Sequence, residues 1–241
     1  DFDGDGRLDL FVTRERGGNT LYRNVGARRF EDATATSGLT TATGSGTVAV
    51  GDFNNDGALD LFIAAADAGE PTLWLNRGDG TFTRDRRSPS ALTALRAMRV
   101  TAVQFVDYDN DGWLDLIVAG TVVGAPGATG ARSLVLLHND GSGKFEDRSS
   151  LLPPLATTAA AAGAAGAGTS ATAGPTLATL DVGRDGDQDF VIADPSSGLR
   201  LLRNDGGNAN LFVQVRLAAL RTGSGKNNDF GIGAKLELRV G

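Results

Sequence analysis

No cysteine occurs in the 241 residues, which excludes disulfides and thiolate metal sites alike. Histidine is nearly absent too, with His138 alone, so Ser-His-Asp and Cys-His catalysis have almost nothing to work with. No apolar run approaches the roughly 20 residues of a membrane-spanning helix, and no membrane insertion is expected. Positive charge is short: 23 Lys and Arg against 29 Asp and Glu leave a formal charge of −6, which argues against a nucleic-acid partner. No signal peptide is visible. The sequence opens on an aspartate that itself fits a ligand position, however, so the true beginning of the protein is expected upstream.

What the chain does have is aspartate in a fixed pattern. Asp107, Asp109, Asp111 and Asp115 occupy positions 1, 3, 5 and 9 of one short stretch, with Gly112 at position 6. Alternate residues of a tightly curled loop point inward, and the glycine permits the sharp turn. Four carboxylates so close repel by about 1 kcal/mol per pair at 4 Å even in water. A cation relieves that crowding, and a donor set made only of oxygen selects a hard one, Ca²⁺ before Mg²⁺.

The pattern recurs with Asp1, Asp3, Asp5, Gly6 and Asp9, and again with Asp52, Asn54, Asp56, Gly57 and Asp60. A weaker fourth copy has Asp181, Asp185, Gly186 and Asp189, with Gly183 where the second ligand should stand. Aspartate-glycine pairs also make ordinary hairpin turns. Four copies in one register, each followed by an apolar run, favour metal loops instead. Three calcium sites and a weaker fourth are expected, with position 7 adding a backbone carbonyl from Arg7, Ala58, Trp113 and Asp187. An EF-hand is excluded, because position 12 is Val12, Ile63, Val118 or Ile192 where that motif needs a bidentate glutamate.

The loops start at 1, 52, 107 and 181, and the residues around them repeat as well. Apolar strands precede the last three at 47–50, 103–106 and 177–180. Others follow all four at 8–12, 59–64, 114–119 and 190–193. A third strand with a turn comes at 21–26, 73–78, 136–141 and 201–206, and in the first three copies a fourth returns at 29–32, 81–83 and 144–147. Four short antiparallel strands per unit of about fifty residues are the signature of a β-propeller blade. The fold class is therefore all-β, a propeller of about four blades over 1–206, as part of a larger ring.

Between the blades, 151–174 is a low-complexity insertion of Ala, Gly, Thr and Ser, expected as an irregular loop. Residues 91–98 suit one or two helical turns whose Leu and Met side chains pack. From Asn210 the pattern changes to two alternating strands at 211–217 and 234–240, which read as the start of a second β-domain.

Other motifs dissolve on inspection. Residues 140–144 and 222–226 resemble phosphate loops but lack the leading glycine and the Ser or Thr after the lysine, so both read as turns. His138 reads as a strand-end residue, Trp74 as core, and Arg84, Arg86 and Arg87 as a solvated face. Every close carboxylate pair that might hydrolyse a glycoside falls inside a metal loop.

Taken with these residues, the chain resembles the FG-GAP/VCBS repeat family, the calcium-loop β-propellers that include the integrin α-subunit head. The likeness rests on the Asp-rich loops and the Leu-Asp-Leu-Phe/Ile runs after them, with echoes in Gly51-Asp52 and at 124–126. The segments 21–24, 30–32 and 37–39 look like the bacterial and cartilage-protein branch, in which such blades precede an ASPIC/UnbV domain. Residues 207–241, with Gly-Ile-Gly-Ala at 231–234, look like part of that domain. The resemblance implies calcium-dependent integrity and interaction without catalysis, outside the cell, at its surface or in the periplasm. A protein or glycan partner, or self-assembly, is expected. The alternative is a polysaccharide lyase or hydrolase whose catalytic residues lie outside this segment.

Overall fold

The computed structural model describes residues 1–39, 45–66, 69–88, 90–123, 132–155, 174–195, 197–206 and 215. Among them fourteen strands form four antiparallel sheets. The first sheet is β1 (Leu10–Val12), β2 (Thr20–Gly26) and β3 (Arg29–Asp32). The second is β4 (Ser45–Gly51), β5 (Asp60–Ala65), β6 (Thr72–Asn76) and β7 (Phe82–Asp85). The third is β8 (Met98–Val106), β9 (Asp115–Val122), β10 (Arg132–Asn139) and β11 (Phe145–Asp147). The fourth contains β12 (Thr176–Leu180), β13 (Asp189–Asp194) and β14 (Gly198–Leu202). Strand order follows chain order in every sheet, as expected of propeller-like blades.

The strand after each loop explains why the sheets stack. A strand covered on one face alternates, whereas one covered on both reads as a continuous apolar run. In β5, Leu61 and Ile63 pack with Phe2, Leu21, Trp74 and Phe82 toward the first sheet. The intervening Phe62 and Ala64 pack with Phe53, Val103, Leu116 and Val118 toward the third. In β9 the same division sends Leu116 and Val118 back to the second sheet, while Ile117 and Ala119 join Phe190 and Ile192 of the fourth. Each fully buried phenylalanine here, such as Phe53 or Phe62, contributes about 2–3 kcal/mol. The core is thus a series of layers between blades.

The segment before β8 forms a 3-10 helix, Ala91–Ala97, and Leu92, Leu95 and Met98 are buried in the layer between the second and third sheets. Trp74 is core, its indole N–H donating to Thr72 at 2.9 Å. One expectation needs correcting. Arg87 does not simply face solvent: it pairs with the buried Asp85 at 3.0 Å and donates to the Ser142 carbonyl, tying the second blade to a hairpin of the third. Arg84 likewise pairs with Glu70 at 3.1 Å.

Most of the insertion at 151–174 and the 124–126 segment lie outside the described residues. So do the strands expected at 211–217 and 234–240, the turn at 222–226 and hence the ASPIC/UnbV-like part at 207–241, save Val215. No helix among the described residues is long and apolar enough to cross a membrane.

Candidate metal centre

The four loops lie at one end of the sheets, each leading into the strand that follows it, and all four are built alike. The position-1 carboxylate spans two backbone amides in the second, third and fourth loops and accepts one in the first. Asp107 accepts from Asp111 at 3.0 Å and Gly112 at 2.9 Å, and Asp52 from Asp56 at 3.1 Å and Gly57 at 2.8 Å. Asp181 accepts from Asp185 at 3.2 Å and Gly186 at 3.1 Å, and Asp1 from Gly6 at 2.9 Å. The position-5 carboxylate then accepts the position-7 amide, at 2.9 Å for Arg7 and Ala58, 2.8 Å for Trp113 and 3.3 Å for Asp187. The turn needs two left-handed residues. Position 6 is glycine in every loop, with φ from 83° to 91°, and position 4 is Gly4, Asn55, Asn110 or Arg184, with φ from 55° to 70°. Arginine tolerates that region poorly, at about 1–2 kcal/mol, so the fourth loop carries strain that Gly4 avoids and Asn lessens.

Position 9 is the keystone. Asp115 is fully buried, accepting the Asn139 amide at 2.7 Å on one oxygen and the Tyr108 amide at 3.1 Å on the other. Asp9 does the same with Asn24 at 2.7 Å and Phe2 at 2.9 Å, and Asp189 with Asn204 and Val182, both at 2.8 Å. Asp60 accepts the Asn76 amide at 2.8 Å, but its Oδ2 is buried without a full hydrogen bond, the Phe53 amide giving only a weak electrostatic contact. Burial pushes the Asp60 and Asp115 carboxyls up to about 7. Asp107 is raised as well, by burial first and then by Asp111 and Asp109.

The predicted ligands converge in two loops. Oxygens of Asp1, Asp3 and Asp5 lie within 4.8 Å of one another, and so do those of Asp107, Asp109 and Asp115. In the second loop the Asn54 side-chain amide donates to Asp56 at 2.8 Å, bringing positions 3 and 5 together. In the fourth, Asp185 turns into the space beside Gly183, where a Cβ would meet its Oδ2 at 2.5 Å. Asp187, expected to offer only its carbonyl, has a buried side chain that accepts from Asn110 of the third loop at 2.8 Å.

Three sets of residues escaped the sequence reading. The first is the third-strand residue facing each loop. Arg23 pairs with Asp3 at 2.5 Å and Asp5 at 3.5 Å, alongside Arg7 on Asp5, and at the same position His138 Nδ1 lies 3.1 Å from Asp115 and 3.5 Å from Asp109. His138 is a strand-end residue, as expected, but it also completes a cluster with Asp109 and Asp111 whose ligand atoms lie within 4.8 Å. The second set is position 2: Phe2, Phe53 and Tyr108 each insert into the layer shared with the next blade. The third is the asparagine after the facing residue, present at 24, 76, 139 and 204. Repetition at a fixed offset was the available signal, masked because each asparagine also suits a turn.

A hard cation fits these residues. The first and third loops gather carboxylate oxygens within one ion's reach, and Asp1 Oδ1 and Asp60 Oδ2 are buried without full hydrogen bonds.

The comparison with protein families agrees with the repeat. No curated protein matches the chain. Among solved structures, a Photorhabdus luminescens Tc holotoxin pore is similar over 80% of this chain at 20% identity, with a TM-score of 0.42, and the chain spans 8% of that chain's length. The FG-GAP-like repeat family matches residues 1–63 and 53–118, in two overlapping copies that cover the first three loops. Residues 1–118 of this β-rich chain are thus similar to FG-GAP-like repeats.

Proposed function

We propose that this chain is a non-catalytic, calcium-stabilised repeat scaffold that works outside the cell and presents its blades to a protein or glycan partner or to further copies of itself. The observation that carries this reading is the recurring cradle. Position-1 and position-5 carboxylates are pinned by the loop's own amides, which leaves oxygens of Asp1, Asp3 and Asp5, and of Asp107, Asp109 and Asp115, facing a common point. Asp52, Asn54, Asp56 and Asp60 make the second site, and Asp181, Asp185 and Asp189 a ligand-poor fourth. The carbonyls of Arg7, Ala58, Trp113 and Asp187 would complete the four shells. The ion would add positive charge where the carboxylates converge, and in the first loop it would share Asp3 and Asp5 with the Arg23 and Arg7 that already pair with them. Extracellular calcium is abundant enough to fill loops of this kind, and the FG-GAP-like repeats support the same setting.

Chelation tests the reading. Adding EGTA should lower the melting temperature by several degrees, and excess calcium should restore it, because an ion that binds only the fold stabilises it by mass action. A melt indifferent to both would remove calcium from the account. Screening the whole protein against polysaccharides, for cleavage as well as binding, tests the non-catalytic part.

A further inference from the structure

The loops are joined to one another as well as to their own blades. In the second blade, the Asn76 side-chain amide donates to the carbonyl of Phe2, position 2 of the first loop, at 2.8 Å. In the third blade, Asn139 does the same to Phe53 of the second loop at 2.7 Å, and in the fourth, Asn204 to Tyr108 of the third loop at 2.7 Å. The backbone amides of these same asparagines hold Asp60, Asp115 and Asp189 at position 9 of their own loops. Position 2 closes the circuit, since its amide reaches back to its own position 9 in the first, third and fourth loops. A second set of bridges runs beside the first: Asn55 donates to the Gly112 carbonyl at 2.9 Å, and Asn110 to Asp187 at 2.8 Å.

Asn76 and Asn139 are almost fully buried, so each bond forms where an unmet partner is costly. An element that fixes the position-2 carbonyl of one loop therefore fixes the strand end that holds position 9 of the next. We propose that these asparagines are positioning residues that couple the loops, so that a cation bound in one loop raises the affinity of the loop in the following blade. This rests on the reading of the loops as cation sites. It adds that filling proceeds along the row and not site by site. Asn24 is the internal control, since its side chain donates to Leu8 of its own blade at 3.0 Å.

Trp113 makes the third loop separately readable, through sensitised luminescence of Tb³⁺ as a calcium substitute, competed with calcium. Disabling the second loop by Asp56→Asn should weaken binding at the third by about fivefold or more, within the usual range of coupling between sites. Removing both bridges with Asn139→Ala and Asn55→Gly should abolish that sensitivity, as a thermodynamic cycle requires. Asn55 has φ of 56°, so glycine keeps its backbone geometry; if the double variant fails to fold, Asn55→Gly alone should reduce the sensitivity. Asn24→Ala should leave it intact. Without any ion, the double variant should speed hydrogen exchange at the Gly57 amide. Third-loop affinity indifferent to Asp56→Asn, or coupling that survives removal of the bridges, overturns the coupling alone. A third loop that binds no Tb³⁺ sinks the cation reading along with it.

Discussion

In the third loop Asp107 clasps the amides of Asp111 and Gly112, and in the fourth Asp181 clasps those of Asp185 and Gly186. Both loops bury a position-9 aspartate on the amides of position 2 and of the third-strand asparagine. They part at position 3. Asp109 joins Asp107 and Asp115 in one cluster, whereas Gly183 leaves a space into which Asp185 turns. Asp187 turns away as well, into a bond from Asn110 of the third loop. The hairpin frame and the ligand set are thus separable. Positions 1, 5, 6 and 9 build the frame, and position 3 decides how much charge converges inside it.

The sharpest way to break this comparison is to remove the keystone from each loop. Asp115→Ala would strand the fully buried Asn139 amide and the half-buried Tyr108 amide, at about 1–3 kcal/mol each, or about 3 kcal/mol in all. Asp189→Ala strands the Val182 and Asn204 amides, but Val182 is 48% exposed and water can reach that end. Its cost should be about 1 kcal/mol. Unfolding in EGTA measures both without the contribution of ligation. Equal losses would show that burial does not set the strength of the frame.

A second measurement uses pH. Burial favours the protonated form of Asp60 and Asp115, raised from 3.8 to about 7 in the fold. The fold then holds more protons than the unfolded chain between those values, so stability falls as pH rises through that window. The chelated protein should melt at a higher temperature at pH 5 than at pH 8. Saturating calcium should shrink the difference, since a bound cation favours the charged carboxylates. Asp32, Asp79 and Asp140 are held below the ordinary range by Thr34, Thr81 and Ser142, so their effect falls at lower pH. Asp115→Asn should flatten the slope, and an unchanged slope would assign it elsewhere.

Much of this was legible in the residues themselves. Aspartates at positions 1, 3, 5 and 9 before runs such as 114–119 announced both the hairpins and the doubly covered strands, because each feature has a strong local cause. What joins the blades was not. Asn139 reads as a turn residue, and only the neighbouring sheet shows that its side chain spans to Phe53. Phe2, Phe53 and Tyr108 share position 2 but not one residue type, so their common role appears only once the layers are assembled. His138 stands where Arg23, Leu75 and Arg203 stand, and no composition rule says that this place faces a loop.

The mildest change should be the most discriminating. Gly183→Asp supplies the carboxylate that the fourth loop lacks, at a residue whose φ lies outside the left-handed region. The new Cβ would meet Asp185 Oδ2 at 2.5 Å, but that oxygen ends a flexible side chain and can swing away. Without an ion, the added repulsion should cost about 1 kcal/mol or less at such a solvent-exposed site. With calcium, titration calorimetry should show tighter binding at the fourth, ligand-poor site and a larger gain in melting temperature than the parent chain. The reciprocal Asp109→Gly should remove one event from the third loop while leaving the clasp of Asp107 and the amide bonds of Asp115 in place. If the first variant gains nothing and the second loses nothing, position 3 is a bystander, and the difference between the loops must be sought in His138 and Arg203 on the strands that face them.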